Sequence, residues 1–482
     1  MASTLEENNE SVRPVNPRRR KRSKARIIKE VYLPVIISGV ALLLIVVFII
    51  GSIVRTVQKN KINKEASINA SISQATEQAR LAEECQSLII QSEKLAQGYD
   101  YAGAIALLDS FSGNPSDYPQ LASQRDTYIH AQSEMVAWED PNQVMNLSFQ
   151  LLIADPARAY KNETYGSSFK NNFITTEEFS RILQQLYENG YILVRLEDIV
   201  TAETGEDGSV VYTPKTLYLP NGKKPVMLTQ TNVNYNLYLV DSDGDMVPDQ
   251  NGCGFASRLI QDGTGHFTNE MVDTSGQTVT GAYDLVPILD DFVEQHPDFS
   301  YRGAKAILAL TGYNGLFGYR THPAAREKLG EDAYNAAALE AGELISALRE
   351  DGYTMAFYTY ENISYGESGV TEIQQDIKAW NEEVVPILGS TDILVYAQNS
   401  DITTEKDYSG EKYEALKNAG FHYYLGFCNQ GKQSLIAADG YVRQGRLLVG
   451  GLNMSEHKDW FAPYFDVSTV LDPARNPQQN AA

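Results

Sequence analysis

Histidine and cysteine are scarce in this chain. Its 482 residues include six histidines, and no two of them have an HxH or HxxxH spacing. Because zinc and related ions are usually held by imidazole or thiolate groups at short, regular spacings, a transition-metal site is not expected. Each histidine is instead predicted to be a surface or loop residue.

The three cysteines, Cys85, Cys253 and Cys428, are an odd number, so no disulfide framework is implied and at most one pair can form. Cys85 lies in a predicted helix, where it could join two chains. A small buried apolar residue is the favoured interpretation, because free cysteine usually behaves in this way.

Several active-site motifs are missing as well. The chain has no GxSxG elbow, no phosphate-binding GxxxxGK and no CxxC pair. A P-loop nucleotide site and a redox-active cysteine pair are therefore not expected. A Ser–His–Asp arrangement stays open, because its three members need not be adjacent in the sequence.

Charge is distributed unevenly along the chain. Residues 1–30 hold nine Lys and Arg against four Glu, which gives a net charge of +5. The total is −22, so the remaining residues carry −27. An acidic body of this kind argues against nucleic acid as a partner.

A run of 24 residues without charge, residues 31–54, follows the basic segment. It is long enough to cross the roughly 30 Å apolar core of a bilayer as one transmembrane helix. It lacks the short apolar core and the small-residue cleavage site of a signal peptide. By the positive-inside rule, residues 1–30 are predicted to be a cytoplasmic tail at the cell membrane, and the body is predicted to be extracellular.

Residues 58–138 are predicted to form a helical stalk, because apolar residues recur there at helical spacing. The segment QGYDYAGAIALLDSF, residues 97–111, resembles one tetratricopeptide-like helical hairpin. Such units bury their apolar faces by stacking. A stalk that packs on itself or on a partner is therefore favoured over a peptide-binding repeat, which stays open.

Beyond the stalk, short apolar strands alternate with amphipathic helices. The first of these helices begins at a capping box formed by Thr175 and Glu178 and ends before Gly190. Its predicted buried face contains Phe179, Ile182, Leu183 and Leu186. The alternation predicts parallel strands joined by crossover helices, with a functional site at the carboxyl ends of the strands.

Four segments at strand positions are NLSFQLLIADP at 146–156, KPVMLTQTNVNY at 224–235, MAFYTYENIS at 355–364 and TDILVYAQNSDI at 391–402. Their order and spacing resemble those of a membrane-anchored bacterial subgroup of the polysaccharide deacetylases, the NodB-homology carbohydrate esterases. The resemblance covers residues 144–455 and implies an α/β fold, an irregular (β/α) barrel. Residues 456–482 are then predicted to be a C-terminal tail.

The resemblance also implies a metal-dependent hydrolase site. A family member uses one aspartate as general base, a second as metal ligand, and an HxxxH histidine pair. These positions fall on Thr231 and Asn232, and on Tyr358 and Asn362. Threonine cannot act as a base near neutral pH, and neither tyrosine nor asparagine offers an imidazole nitrogen. A catalytic zinc-like metal and ordinary deacetylation are therefore not expected.

The same strand ends carry side chains that suit sugar binding. Aromatic faces can stack on sugar rings, and amide groups can bond to sugar hydroxyls. A pocket that is collapsed around these side chains is the open alternative. The candidate glycan-binding residues are Tyr313, Tyr360, Glu361, Gln398, Asn399 and Asp401.

One cation-binding pattern remains, in DSDGDMVPD at 241–249. It resembles the calcium loops of thrombospondin-type repeats, although Met246 replaces the usual turn glycine and no glutamate stands at the twelfth position. Bound calcium and a solvated acidic turn both stay open. The predicted ligands, at the first, third, fifth and ninth positions, are Asp241, Asp243, Asp245 and Asp249.

Together these features predict a single-pass membrane protein with an extracellular, catalytically inactive, deacetylase-like barrel. It is expected to bind cell-envelope polysaccharide or to regulate an envelope protein that processes it. One alternative is an active hydrolase of carbohydrate amide bonds with a rewired site, in which Glu361 or Asp401 is the surviving acid. Another is an interaction scaffold that docks a partner through the stalk.

Overall fold

The structure is a computed structural model that describes residues 33–138, 140–206 and 208–475. The predicted cytoplasmic tail, residues 1–30, and the first two residues of the predicted membrane span lie outside the described residues. The chain divides into two compact units, one that ends at Glu84 and one that begins at Cys85.

One long helix, α1 (Leu33–Gln97), contains the predicted membrane segment. The apolar side chains of this segment are exposed, Phe48 to 74% and Leu42 to 67%. A helix that is apolar on all sides normally lies in a protein core or in a bilayer. By its length and composition α1 is able to cross a membrane.

Within the second unit the last residues of α1 are followed by two more helices, α2 (Tyr101–Asp109) and α3 (Pro119–Ser133), which pack against each other. The Gln120 amide of α3 contacts the Cys85 sulfur of α1 at 3.3 Å. Leu108 of α2 is buried. This part of the predicted stalk therefore packs on itself.

The same helices are joined to the rest of the second unit through the turn between α1 and α2. The Arg302 N–H donates a hydrogen bond to the Gly98 carbonyl at 2.7 Å. The Arg302 side chain also lies 3.6 Å from the Asp100 carboxylate. The stalk from Cys85 onward is thus continuous with the packed body of the protein.

The centre of the second unit is a closed ring of seven parallel strands, which follow one another around the ring in chain order. They are β1 (Met145–Phe149), β2 (Lys224–Thr231), β3 (Ile307–Leu310), β4 (Thr354–Phe357), β5 (Ile393–Val395), β6 (Tyr423–Phe427) and β7 (Tyr441–Leu448). Leu147 of β1 pairs with Leu228 of β2 on one side and with Leu447 of β7 on the other, which closes the ring. The α/β barrel predicted from the sequence is confirmed.

Alternate residues of each strand face the inside of the barrel. Met227, Ala309 and Ala356 belong to the apolar cluster that fills this interior. Their chain neighbours Leu228 and Leu308 belong to the larger cluster between the strands and the surrounding helices. The period of two along a strand therefore separates an inner from an outer apolar layer.

Five longer helices surround the barrel: α4 (Thr176–Glu188), α5 (Leu285–Gln295), α6 (Glu331–Glu350), α7 (Val370–Glu383) and α8 (Glu411–Asn418). The predicted capping box of α4 is confirmed, because the Thr175 hydroxyl accepts the Glu178 N–H at 3.1 Å and the Glu178 carboxylate accepts the Thr175 N–H at 2.8 Å. Its predicted apolar face is buried in the outer cluster.

Shorter elements fill the connections between these parts. The additional strands are Val136–Trp138 paired with Leu217–Leu219, Tyr191–Leu193 beside β2, the hairpin Val200–Thr204 and Val210–Pro214, the antiparallel sheet Arg258–Gln261, Phe267–Val272 and Thr278–Gly281, and Leu435–Ala438 beside β7. The additional helices are Pro156–Lys161, Gly166–Asn172, Leu196–Ile199, Leu237–Val240, Pro323–Leu329 and Val385–Leu388.

The described part of the predicted C-terminal tail, residues 456–475, is packed against the barrel. Phe461 and Val470 are fully buried against the outer layer, and the Arg475 guanidinium forms a buried ion pair with Glu178 of α4. Apolar burial and this ion pair hold the chain to the barrel as far as residue 475. The helix Gly451–Glu456 leads into this segment, and the helices within it are Lys458–Phe461 and Val467–Val470.

Candidate functional site

The barrel mouth, meaning the carboxyl ends of β1 to β7 and the loops that follow them, contains the positions predicted from the family resemblance. Thr231 is the last residue of β2, Asn232 follows it, and Tyr358 directly follows β4. Thr231 pairs with Ala309 of β3, which in turn pairs with Ala356 of β4. Because the strands are parallel, these positions lie at one end of the barrel.

The four substituted positions divide between the interior and the rim. Thr231 is buried, and its hydroxyl donates to the Phe149 carbonyl at 3.2 Å. Tyr358 is buried in the interior cluster. The Asn232 side-chain oxygen is buried and has no hydrogen-bond partner among the described residues. Asn362 lies in the loop after β4, where its carbonyl accepts the Gln398 amide at 2.7 Å.

The backbone at the barrel mouth is strained in several loops. Asn232, Thr359, Gln398 and Gln430 each have φ between 52° and 61°, and each lies within three residues of the end of a barrel strand. A non-glycine residue in this left-handed region costs about 1–2 kcal/mol, and such residues concentrate at functional sites. The rim conformation is therefore held by the surrounding packing.

The barrel interior is polar along one side. The Thr229 hydroxyl donates to the Asn146 side-chain oxygen at 2.8 Å, and the Asn146 amide donates to Gln444 at 3.3 Å. Among the interior-facing residues of the seven strands, all of which the structure describes, there is no Asp, Glu or His. The interior therefore lacks both a general base and the usual ligands of a catalytic metal.

An arginine that the motif comparison missed lies just below the mouth. Arg446 of β7 is fully buried, and its guanidinium donates to the Ser148 hydroxyl at 2.6 Å, the Tyr396 carbonyl at 3.2 Å and the Leu425 carbonyl at 3.3 Å. It also stacks on the Phe427 ring, 4.4 Å from its centroid. Burial lowers the pKa of Arg446 to about 10, so it remains charged at neutral pH.

Arg446 could have been found from the sequence as a charged residue in the run YVRQGRLLV, residues 441–449. A charged side chain in a central strand must face solvent, a partner or the interior. Only the register of β7, in which Arg446 pairs with Phe427 and with Asn146, shows that it points inward.

Asp401, predicted as a surviving acid and glycan ligand, is not a free carboxylate. It accepts the Tyr408 hydroxyl at 2.9 Å and forms an ion pair with Arg443 at 2.9 Å. Burial raises the pKa of Asp401, and the Arg443 guanidinium opposes this effect. Arg443 lies three residues from Arg446 on β7 and faces the other side of the strand, so Asp401 belongs to the outer layer.

Tyr360 also points away from the mouth. Its ring packs against Gly312 and Val384 in the outer cluster, and its N–H donates to Asp376 of α7 at 2.7 Å. The N–H of Glu361 donates to the same carboxylate at 2.9 Å, which leaves the Glu361 side chain exposed. The Tyr360 ring is therefore almost wholly buried, at 7% exposure, and its role in glycan binding stays a prediction.

The remaining predicted glycan-binding residues lie on the rim. Gln398 and Asn399 are exposed, and Tyr313, in the loop after β3, is partly buried. Two tyrosines that the sequence did not single out lie beside Tyr313. Tyr165 and Tyr238 are 38% and 40% exposed, and their ring centroids are 5.2 Å apart.

These three residues, Tyr165, Tyr238 and Tyr313, form what we call the rim tyrosines. Burial, followed by the nearby Tyr313 hydroxyl, raises the pKa of Tyr238. Tyr165 follows β1, Tyr238 follows β2 and Tyr313 follows β3, so three successive loops contribute to one aromatic surface. Partly exposed rings of this kind present flat apolar faces with polar edges.

The predicted calcium ligands are only partly brought together. Oxygens of Asp241, Asp243 and Asp249 lie within 4.8 Å of one another, whereas Asp245 is not part of this group. The Asp241 carboxylate accepts the N–H groups of Gly244 and Met246, each at 2.7 Å. The Lys328 ammonium donates to the Gly244 carbonyl. Calcium binding stays a prediction.

Comparison with known proteins assigns no family to this chain. No family model matches the sequence, and no curated protein matches it. A solved structure, the Streptococcus pyogenes deacetylase PplD in complex with acetate, aligns with 69% of this chain and 99% of its own, at 12% identity and a TM-score of 0.35. A similarity this low does not bear on activity, and the barrel is established by its own strand order.

Proposed function

We propose that this protein is a membrane-anchored, deacetylase-like barrel that binds an envelope polysaccharide at the barrel mouth without hydrolysing it. The observation that carries the proposal is the interior of the seven strands, where no Asp, Glu or His faces inward. By the family resemblance, Thr231 and Tyr358 stand at strand ends where a base and a metal ligand would be needed. Amide hydrolysis has no proton acceptor there.

The geometry also weakens the alternative of a rewired hydrolase. Asp401 is held in an ion pair in the outer layer, so it cannot activate water at the mouth. Glu361 is exposed on the rim, where a carboxylate keeps its ordinary solvation. A hydrolase that used Glu361 would have to position water without a metal and without a second acid.

The polysaccharide-binding part of the proposal is supported by the rim tyrosines. Tyr165 and Tyr238 are partly exposed on the loops after β1 and β2, and the exposed amides of Gln398 and Asn399 lie on the loop after β5. Aromatic faces and amide groups are the side chains that suit sugar rings and their hydroxyls. The membrane helix would keep such a site next to the cell envelope.

A binding experiment on the full chain in detergent micelles tests this proposal. Envelope polysaccharides are immobilised, and retention of the wild type is compared with that of Tyr165→Ala and Tyr238→Ala. Each variant should bind about two- to twelvefold more weakly, because a lost aromatic contact costs about 0.5–1.5 kcal/mol. Tyr218→Ala is the matched control, since Tyr218 is 55% exposed on a strand that precedes β2.

If no polysaccharide retains the wild type, or if Tyr218→Ala weakens binding as much as the rim variants, the proposal fails. Failure with every polysaccharide would favour the scaffold alternative. Release of acetate from N-acetylated oligosaccharides by the wild type, lost in Glu361→Gln, would instead establish the hydrolase. We expect no acetate release above that of buffer.

Calcium at the acidic loop is a separate proposal with a structural role. It is supported by the three carboxylates of Asp241, Asp243 and Asp249, whose oxygens approach within 4.8 Å. It is opposed by Lys328, which already places an ammonium group on this loop. Calcium titration of the full chain should release or absorb heat and raise the melting temperature; no heat and no shift would remove the idea.

A further inference from the structure

We propose that the barrel mouth selects an anionic glycan, with a sugar carboxylate or phosphate held over the Arg446 guanidinium. This inference rests on the proposed polysaccharide binding and names the class of ligand. A neutral glycan would use the same rim but would leave Arg446 without a counter-charge. The two outcomes can be separated by experiment.

The first observation is a buried charge without an acidic partner. Arg446 is 0% exposed, and its three hydrogen bonds end on one hydroxyl and two backbone carbonyls, all of them neutral groups. Of the five guanidinium N–H groups, two are left over. No carboxylate of the described residues forms an ion pair with it, although burying an uncompensated charge costs several kcal/mol.

The second observation is a set of buried polar atoms at the same end of the barrel. The Thr311 hydroxyl, in the residue that follows β3, is fully buried and has no partner among the described residues. The Asn232 side-chain oxygen, one residue beyond β2, is also buried and has no partner among the described residues. β2 and β3 are paired neighbours, so these unpartnered atoms lie on adjoining strand ends.

The chemistry of these groups points to one kind of ligand. An unpartnered hydroxyl can donate to an anion, and an unpartnered amide oxygen can accept from a sugar hydroxyl. A guanidinium forms its strongest hydrogen bonds with carboxylate and phosphate groups. A sugar that carries both hydroxyls and one anionic group offers a partner to each of these three kinds of group, and Ser148 and Phe427 are side chains in contact with Arg446.

The acidic surface of the protein does not contradict this inference. Exposed charges act through water and are screened beyond about 8–10 Å at physiological salt. A buried guanidinium acts at contact distance in a medium of lower dielectric constant, where its effect is stronger. The surface charge is expected to slow the approach of an anionic glycan, and Arg446 is expected to hold it.

Two matched pairs of ligands test the inference on the full chain in detergent. The first pair is an oligogalacturonate and its neutral methyl ester, and the second is N-acetylglucosamine 1-phosphate and N-acetylglucosamine. We expect the affinity for the anionic member of at least one pair to exceed that for its neutral member by about tenfold or more. The reason is that only the anionic member can form a charge-assisted hydrogen bond with Arg446. The pair that shows the preference distinguishes carboxylate from phosphate.

Equal binding of both members of each pair overturns the inference and leaves the proposed polysaccharide binding intact. Absence of binding by all four ligands also overturns the inference, and it overturns the proposed polysaccharide binding as well when no immobilised polysaccharide retains the protein. Arg446→Gln should abolish the preference for the anion, whereas Arg443→Gln, a change on the opposite face of the same strand, should keep it. If Arg446→Gln does not fold, the affinities of the wild type for the two ligand pairs still decide whether the barrel mouth prefers an anion.

Discussion

At the scale of single residues, Met246 has a backbone conformation that its type rarely adopts. Its φ is 72°, in the left-handed region, and its N–H donates to the Asp241 carboxylate at 2.7 Å. The calcium-loop pattern has a glycine at this position, and glycine enters this region without steric cost. The loop thus has the backbone conformation of a calcium loop at this position, although its residue is methionine instead of glycine.

Met246→Gly should therefore stabilise the protein. The strain of a left-handed residue is relieved, and the greater entropy of glycine in the unfolded chain offsets part of the gain, so we expect about 0.5–1 kcal/mol. The measurement is the melting temperature of the full chain in detergent. Val247→Gly, at an exposed neighbour without positive φ, should be neutral or destabilising, and a higher melting temperature there would contradict the explanation.

His322 is a second residue whose setting is unusual, because it lies in a loop, as was predicted for the histidines, yet its side chain is buried. Its Nδ1 has no hydrogen-bond partner among the described residues. Burial, together with the Arg320 charge, lowers the pKa of His322 to about 4. The neutral form is therefore the one that fits the folded protein.

This setting predicts a loss of stability in acid. Between pH 6.5 and 4 the unfolded chain binds a proton at this histidine that the folded protein does not, so stability falls as the pH is lowered through this window. His322→Asn should reduce that fall by up to about 3 kcal/mol, seen as a smaller drop in melting temperature between pH 7 and 4. His130→Gln, at an exposed histidine, should leave the drop unchanged.

At the scale of elements, the C-terminal segment is held to α4 by a buried ion pair. Arg475 contacts both oxygens of Glu178, at 2.5 and 2.6 Å, and also donates to the Phe173 carbonyl at 2.7 Å. Glu178 also closes the capping box of α4. The Glu178 carboxylate thus connects the start of α4 to a segment of the chain nearly 300 residues later in the sequence.

Replacing Arg475 by methionine should destabilise the protein by about 3–5 kcal/mol, because the Glu178 charge would be left buried without its partner. Thermal or denaturant unfolding of the full chain measures this change. The double variant Glu178→Gln with Arg475→Met should recover part of the loss, since glutamine can keep the capping box. A double variant as unstable as Arg475→Met alone would contradict the ion-pair explanation.

At the scale of the whole molecule, the asymmetry of charge and the apolar helix predict an orientation in the membrane. The basic segment, residues 1–30, precedes a helix that is able to cross a membrane, and the acidic barrel follows it. By the positive-inside rule we expect the basic side to lie in the cytoplasm. The extracellular barrel that this orientation predicts agrees with the proposed binding of an envelope polysaccharide.

This orientation can be tested with protease added to intact cells. An epitope at the N-terminus should be protected until the membrane is permeabilised, whereas an epitope placed after Ala482 should be removed at once. The protein should sediment with the membrane fraction and resist extraction by high salt, as a spanning helix does. Protection of the C-terminal epitope in intact cells would reverse the predicted topology.

Local patterns made part of the fold and site predictable. The capping box of α4 and its apolar face depend on residues three and four positions apart, and Thr231 and Tyr358 end apolar strands that can be recognised one at a time. The direction of Tyr360 could not be predicted, because Thr359 has a φ of 57° and interrupts the alternation of the strand. The partner of Asp401 lies 42 residues away, which no local pattern contains.

The sequence by itself determined the apolar helix and the alternation of strands and helices. These depend on composition and short periodicities, which act before the chain has folded. The replacement of a base and a metal ligand by Thr231 and Tyr358 is what the family resemblance implies. Only the tertiary structure decided that Arg446 points inward without an acid, that three loops assemble the rim tyrosines, and that residues 456–475 are packed. Register and long-range burial set these features, and both arise only when distant segments meet.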